Sequence, residues 1–114
     1  MNIQIIGTKK SVETRKAERF FKERGIKYQF VDLRERGLTG RELENIARRV
    51  APEDLINTGS KEYEKRGMEY MEFDILEELM ENPLMIKIPV VRCGKEVTVG
   101  LKPEVWKEWI GGLK

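Results

Sequence analysis

Apolar residues in this chain first crowd into a short run, then recur at helical spacing, then alternate with polar ones. Residues 2–6 (NIQII) are rich in β-branched side chains and bounded by Gly7, which predicts a buried first strand. Between residues 11 and 24, Ala17, Phe20 and Phe21 fall near helical spacing and predict one inward face of a helix. Ser11 is its natural N-cap, because a serine hydroxyl accepts a hydrogen bond from a free N–H of the first turn. Gly25 ends the helix with the residue type that tolerates a left-handed conformation. Residues 26–33 (IKYQFVDL) alternate and predict a second strand. Strand, helix and strand in quick succession predict a parallel βαβ crossover.

Thr39 to Glu42 forms a capping-box pattern that opens a second helix, with Leu43, Ile46, Ala47 and Val50 facing inward and Pro52 as its stop. Residues 53–82 are charged and helical in pattern, broken near Gly59 and Gly67, with Ile75, Leu76, Leu79 and Met80 as an apolar face. Residues 88–92 and 96–100 predict two short strands around a hairpin turn at Cys93, Gly94 and Lys95. Pro103 starts a last helix, and the spacing of Trp106 and Trp109 favours core packing, with a binding platform as the alternative. The predicted fold is α/β: a thioredoxin-like mixed sheet of about four strands flanked by helices. One domain spans residues 1–114, with sheet halves at 1–35 and 86–114 and a helical insertion at 36–85.

Composition narrows the chemistry. The 22 basic and 20 acidic side chains are interspersed, giving a net charge of +2 and no case for broad nucleic-acid binding. The run at residues 34–36 (RER) fits a solvated loop. Histidine is absent, which removes Ser–His–Asp, Cys–His and HExxH chemistry. A single cysteine, Cys93, excludes an internal disulfide and a multi-cysteine metal site. The first apolar run is too short for a signal peptide or a membrane span, so a cytoplasmic protein without a membrane partner is expected.

Four strings occur in order, GTKKSVETRKA at residues 7–17, LINTGSK at 55–61, NPLMIKIPVV at 82–91 and EVTVGLKPEVW at 96–106, and together they resemble the ArsC/Spx (arsenate reductase-like) family of thioredoxin-fold proteins. Residues 7–17 (GTKKSVETRKA) resemble the loop and helix start that carry the family's catalytic cysteine. Residues 55–61 (LINTGSK) resemble a segment of its helical insertion. Asn82-Pro83 with residues 84–91 (LMIKIPVV) resembles its NP, leucine-rich, Arg-Pro-hydrophobic run, and residues 96–106 (EVTVGLKPEVW) its closing strand, glycine turn and helix entry. The resemblance spans essentially the whole chain. It implies a cis proline beside the active loop, at Pro89, while a trans proline at a strand edge remains the alternative. For active relatives it implies arsenate reduction or thiol exchange, with glutathione, glutaredoxin or thioredoxin as reductant. For the Spx branch it implies action through contact with RNA polymerase.

The chain departs from the family at the reactive position. Aligning on residues 14–17 (TRKA) places Ser11 where the cysteine belongs, and Thr14 at the second position of a CxxC frame. A serine hydroxyl has a far higher pKa than a thiol, forms no disulfide, and here has no histidine to deprotonate it. The arginines that clamp the oxyanion in arsenate-reducing relatives match Gly59, Ile88 and Leu101, none of them basic. Lys87 and Lys102 neighbour two of these positions and would compensate in part if the register shifts by one. The expectation is a non-catalytic binding or regulatory member, a pseudoenzyme with no cofactor and an unidentified protein partner. Two alternatives stay open. One is an arsenate reductase or glutaredoxin-like thiol oxidoreductase, if Ser11 replaces a native cysteine. The other is a small-anion binder in which Lys9, Lys10 and Ser11 stand at a helix N-terminus, with Glu13 opposing it. Cys93 is either a redox-sensing thiol or an unpartnered turn residue, and its separation from the Ser11 loop favours the second.

Overall fold

In the computed structural model, which describes residues 2–68 and 72–111, the isoleucine-rich start of the chain lies inside the sheet. The elements run β1 (Ile3–Gly7), α1 (Val12–Glu23), β2 (Tyr28–Asp32), α2 (Gly40–Ala47), α3 (Pro52–Leu55), α4 (Lys61–Lys65), α5 (Ile75–Glu81), β3 (Val90–Cys93), β4 (Glu96–Val99) and α6 (Pro103–Gly111). The sheet order is β2-β1-β3-β4. Strand β2 is parallel to β1, from Ile3 opposite Tyr28 to Gly7 opposite Asp32. Strand β3 is antiparallel to β1, and β4 to β3. This is the predicted thioredoxin-like mixed sheet. In the two-residue turn between β3 and β4, Gly94 has φ +58, at the position a II′ hairpin turn reserves for glycine.

Alternation along the strands gives the sheet two faces. Ile3, Ile5 and Val91 face α1 and α6, where they meet Ala17, Phe21 and Trp106. Trp106 is buried to 1% exposure and its indole N–H donates to Thr98 Oγ1 at 2.8 Å. Ile6, Val31 and Val90 face the other way, onto Leu43, Ile46, Leu79 and Met85 of the insertion.

Local chemistry sets the ends of α1. Ser11 caps its start, and a Schellman motif closes it: Gly25 N–H donates to Lys22 O at 3.0 Å and Ile26 N–H to Phe21 O at 2.9 Å, with Gly25 at φ +67. Because that motif consumes the Ile26 N–H, β2 begins at Tyr28 rather than at residue 26.

The insertion departs from its pattern. Pro52 opens α3 instead of closing α2, which already ends at Ala47. Proline bars the residue before it from helical geometry, and Ala51 is extended at φ −58, ψ 139. The helical stretch predicted over residues 53–82 is three short helices, its residues 69–71 lying outside the described ones. Ile56 leaves the helical path to bridge Ile86, and Asn57 N–H donates to Met85 O at 2.8 Å. Met80, predicted on the inner face of α5, is 46% exposed; its sulfur rests over Gly40 while Leu79 takes the core position. Among the described residues no helix is long and apolar enough to cross a membrane.

Candidate functional site

The loop leaving the C-terminal end of β1 carries Lys9, Lys10 and Ser11 into α1. Ser11 N–H donates to Thr8 O at 3.2 Å, which turns the loop, and Ser11 Oγ accepts from Thr14 N–H at 3.1 Å. The Ser11 hydroxyl also lies 3.4 Å from Glu13 Oε2, to which it donates. Its oxygen therefore satisfies a first-turn donor of α1, and its proton points to a carboxylate. Among the described residues, the proton acceptor in contact with it is this Glu13 carboxylate, a weak base.

Thr14, at the second position of the CxxC frame, is fully buried. It packs beneath Gly7, where a Cβ would collide with Thr14 Oγ1 and stand 2.6 Å from its Cγ2. Thr14 Oγ1 is buried without a hydrogen-bond partner among the described residues. Sequence pattern alone passes over this orphan, although a threonine on the inner stripe of α1 is a signal for it.

The basic pair is not gathered around the helix start. Lys9 Nζ lies 3.7 Å from Glu35 Oε1, with both side chains mostly exposed, and Lys10 is exposed. Buried Asp32 stands opposite Gly7 in the sheet register, so carboxylates of Glu13, Asp32 and Glu35 accompany the basic Lys9, Lys10 and Arg34 near the loop.

Two of the three positions matched to the family's arginines, Ile88 and Leu101, lie at the same end of the sheet. The Ile88–Pro89 peptide is cis, and Val90, directly after it, pairs with Ile6. Ile88 packs against the insertion core. Gly100 N–H donates to Pro89 O at 2.8 Å, which places Leu101, 36% exposed, beside it. Gly59 lies in the turn after the Ile56–Ile86 bridge, its N–H donating to Asn57 Oδ1 at 3.1 Å. Lys87 and Lys102 share a cleft of about 490 Å³ with Asp54 and Glu104, and no residue of the Ser11 loop lines it.

Cys93 is far from this loop. It pairs with Ile3 at the opposite end of β1 from Gly7, about 13 Å away at roughly 3.3 Å per residue. It is the last residue of β3, half-buried against the α1–α6 core, and burial pushes its thiol pKa up, with Glu96 adding to the rise. A raised pKa lowers the thiolate fraction and with it the reactivity. Among the described residues no cluster of three metal-ligating side chains exists.

Against known proteins, the chain is similar to Global transcriptional regulator Spx 2 of Oceanobacillus iheyensis, 31% identical over 105 residues that cover 88% of this chain and 77% of that one. Among solved structures it resembles an arsenate reductase (ArsC) related protein from Brucella melitensis, with TM-score 0.71 and 25% identity over 96% of this chain and 95% of that one. It shares its fold with arsenate reductase from Vibrio cholerae, at TM-score 0.83 and 18% identity over 95% and 97% of the two chains. The family model described as ArsC family matches residues 7–109, and the chain belongs to that family.

Proposed function

We propose that this protein is a non-catalytic member of the ArsC family that works by binding a protein partner, in a regulatory rather than a reducing role. The observation that carries this is the state of Ser11. At the family's nucleophile position stands a hydroxyl that caps α1 through Thr14 N–H at 3.1 Å and donates to Glu13. Arsenate reduction needs a sulfur that forms and breaks a disulfide, and an oxygen cannot replace it. Gly59, Ile88 and Leu101 carry no positive charge, and Lys9 lies 3.7 Å from Glu35. The similarity to a protein named as a transcriptional regulator supports a binding role. In this reading the protein needs no cofactor and acts in the cytoplasm.

The test is a glutaredoxin-coupled arsenate reduction assay on the protein and on Ser11→Cys. The unaltered protein is expected to show no turnover above a blank without protein; turnover would sink the proposal. Ser11→Cys is expected to gain a thiol with a pKa depressed below the usual 8.5 or so by the helix N-terminus, read by its alkylation rate against pH. It is still expected not to reduce arsenate, because the oxyanion clamp is missing. Full activity in that variant would instead mark Ser11 as the only barrier to catalysis.

A further inference from the structure

The insertion helices cover only part of their sheet face. Ile6, Val31 and Val90 lie beneath them. Further toward the N-terminal end of β1, the register lines up Gln29, Gln4, Arg92 and Val97 across all four strands. Four strands at about 4.8 Å spacing make this row roughly 14 Å long. It floors two adjoining clefts, of about 540 and 470 Å³, that share Arg92 and Gly94. Lys27 lines the first, and Arg48, Arg49 and Lys95 line the second. With Arg92 that makes five cations, and no carboxylate lines either cleft among the described residues. The chain as a whole carries 22 basic and 20 acidic residues, so the groove is more positive than the protein's overall charge balance.

The groove is held in shape. Arg92 Nη1 donates to Gln4 Oε1 at 3.2 Å, and Arg49 Nε donates to Lys95 O at 3.1 Å, which ties the end of α2 to the β3–β4 turn. Arg92 Nε is buried with no partner among the described residues.

We propose that this groove binds an extended acidic segment of a partner protein, a proposal that rests on the protein-binding role above. The roughly 14 Å row matches about four residues of extended chain at about 3.3 Å each. Gln4 and Gln29 offer amide donors and acceptors to a peptide backbone, and the flanking cations take acidic side chains. A single-stranded nucleic acid fits less well, since it needs aromatic surfaces for its bases. Among the described residues, the one aromatic side chain lining the groove, Tyr28, packs with the opposite face and donates its hydroxyl to Glu18 at 2.8 Å. An isolated phosphate would engage Arg92 and leave most of the row unused.

The experiment is fluorescence anisotropy with labelled hexaglutamate on the full chain, at about 20 mM and about 200 mM salt. Binding at low salt that weakens at high salt is expected, with a loss of about tenfold or more in Lys95→Glu and Arg48→Glu, two exposed positions outside the core. Side-chain amide signals of Gln4 and Gln29 should shift in NMR spectra on titration. Four results would each overturn the proposal: no binding at millimolar peptide, binding unchanged in both variants, displacement by equimolar inorganic phosphate, or tighter binding of an oligothymidylate. The arsenate assay reads the non-catalytic role separately, so the two proposals fail independently.

Discussion

The two faces of the sheet are covered by different means. On one, two helices of twelve and nine residues lay aromatic side chains on Ile3, Ile5 and Val91. Phe20, Phe21 and Trp106 meet there with ring centroids 5.1–5.4 Å apart. On the other, helices of four to eight residues each contribute one or two aliphatic side chains. The long amphipathic helices bury Ile3, Ile5 and Val91 to 3% exposure or less. Short pieces close a face only where each has an anchor, and the Gln29–Gln4–Arg92 row lies where the anchors stop.

The contrast predicts how each face fails. Trp106→Ala removes the largest buried side chain and leaves Thr98 without its partner, so a loss of about 3–5 kcal/mol is expected in chemical unfolding. Leu79→Ala is expected to cost about 3 kcal/mol, because α5 has a single fully buried anchor. Hydrogen exchange separates the two. Leu79→Ala should speed exchange in α2 and α5 while sparing α1, whereas equal acceleration in α1 would show the faces to be one cooperative unit.

A smaller effect tests whether electrostatics helps the short helices. Glu42 completes the capping box with Thr39 and takes both Nη groups of Arg36, at 3.0 and 3.1 Å. The Arg36 hydrogen bonds are the main cause of its pKa falling from the ordinary 4.5 to about 2. A carboxylate depressed on folding stabilises fully above its unfolded pKa and loses that stabilisation as pH falls through its folded value. Arg36 is 46% exposed, so solvent screens the pair. Glu42→Gln should cost about 1 kcal/mol at neutral pH, with the gap to the parent closing between about 4.5 and about 2. A gap independent of pH would assign the effect to the cap alone.

The same contrast explains what could be read in the chain. Helix α1 was legible because its punctuation is local: Ser11 caps one end, Gly25 the other, and Ala17, Phe20 and Phe21 mark the inner stripe. The insertion was less so, because Ile56 is extended by pairing with Ile86, thirty positions on, and no nearby residue announces it. At the site, Ser11 and the non-basic Gly59, Ile88 and Leu101 were visible in order. The carboxylates that share a cleft with Lys87 and Lys102 were not, since Asp54 and Glu104 come from opposite halves of the chain. Gln4, Gln29 and Arg92 are separate polar residues in three strands, and only the sheet register makes them a row.

The smallest effects set two hydroxyls in the first turn of α1 against each other. Ser11 Oγ accepts from Thr14 N–H, so Ser11→Ala should destabilise by about 1 kcal/mol, the usual cost of a lost cap. Thr14 is three residues on, and its Oγ1 is buried without a partner against Gly7. An unpaired buried hydroxyl costs free energy that a methyl of the same shape does not. Thr14→Val should therefore be neutral or stabilise by up to about 1 kcal/mol, measured as an upward shift of the urea midpoint at constant slope. A loss beyond about 1 kcal/mol would show that the hydroxyl finds a partner in solution, and the turn beneath Ser11 would then be polar rather than packed. Opposite signs for these two substitutions would establish that the first turn of α1 uses Ser11 as its cap and Thr14 as its core, leaving neither hydroxyl free for chemistry.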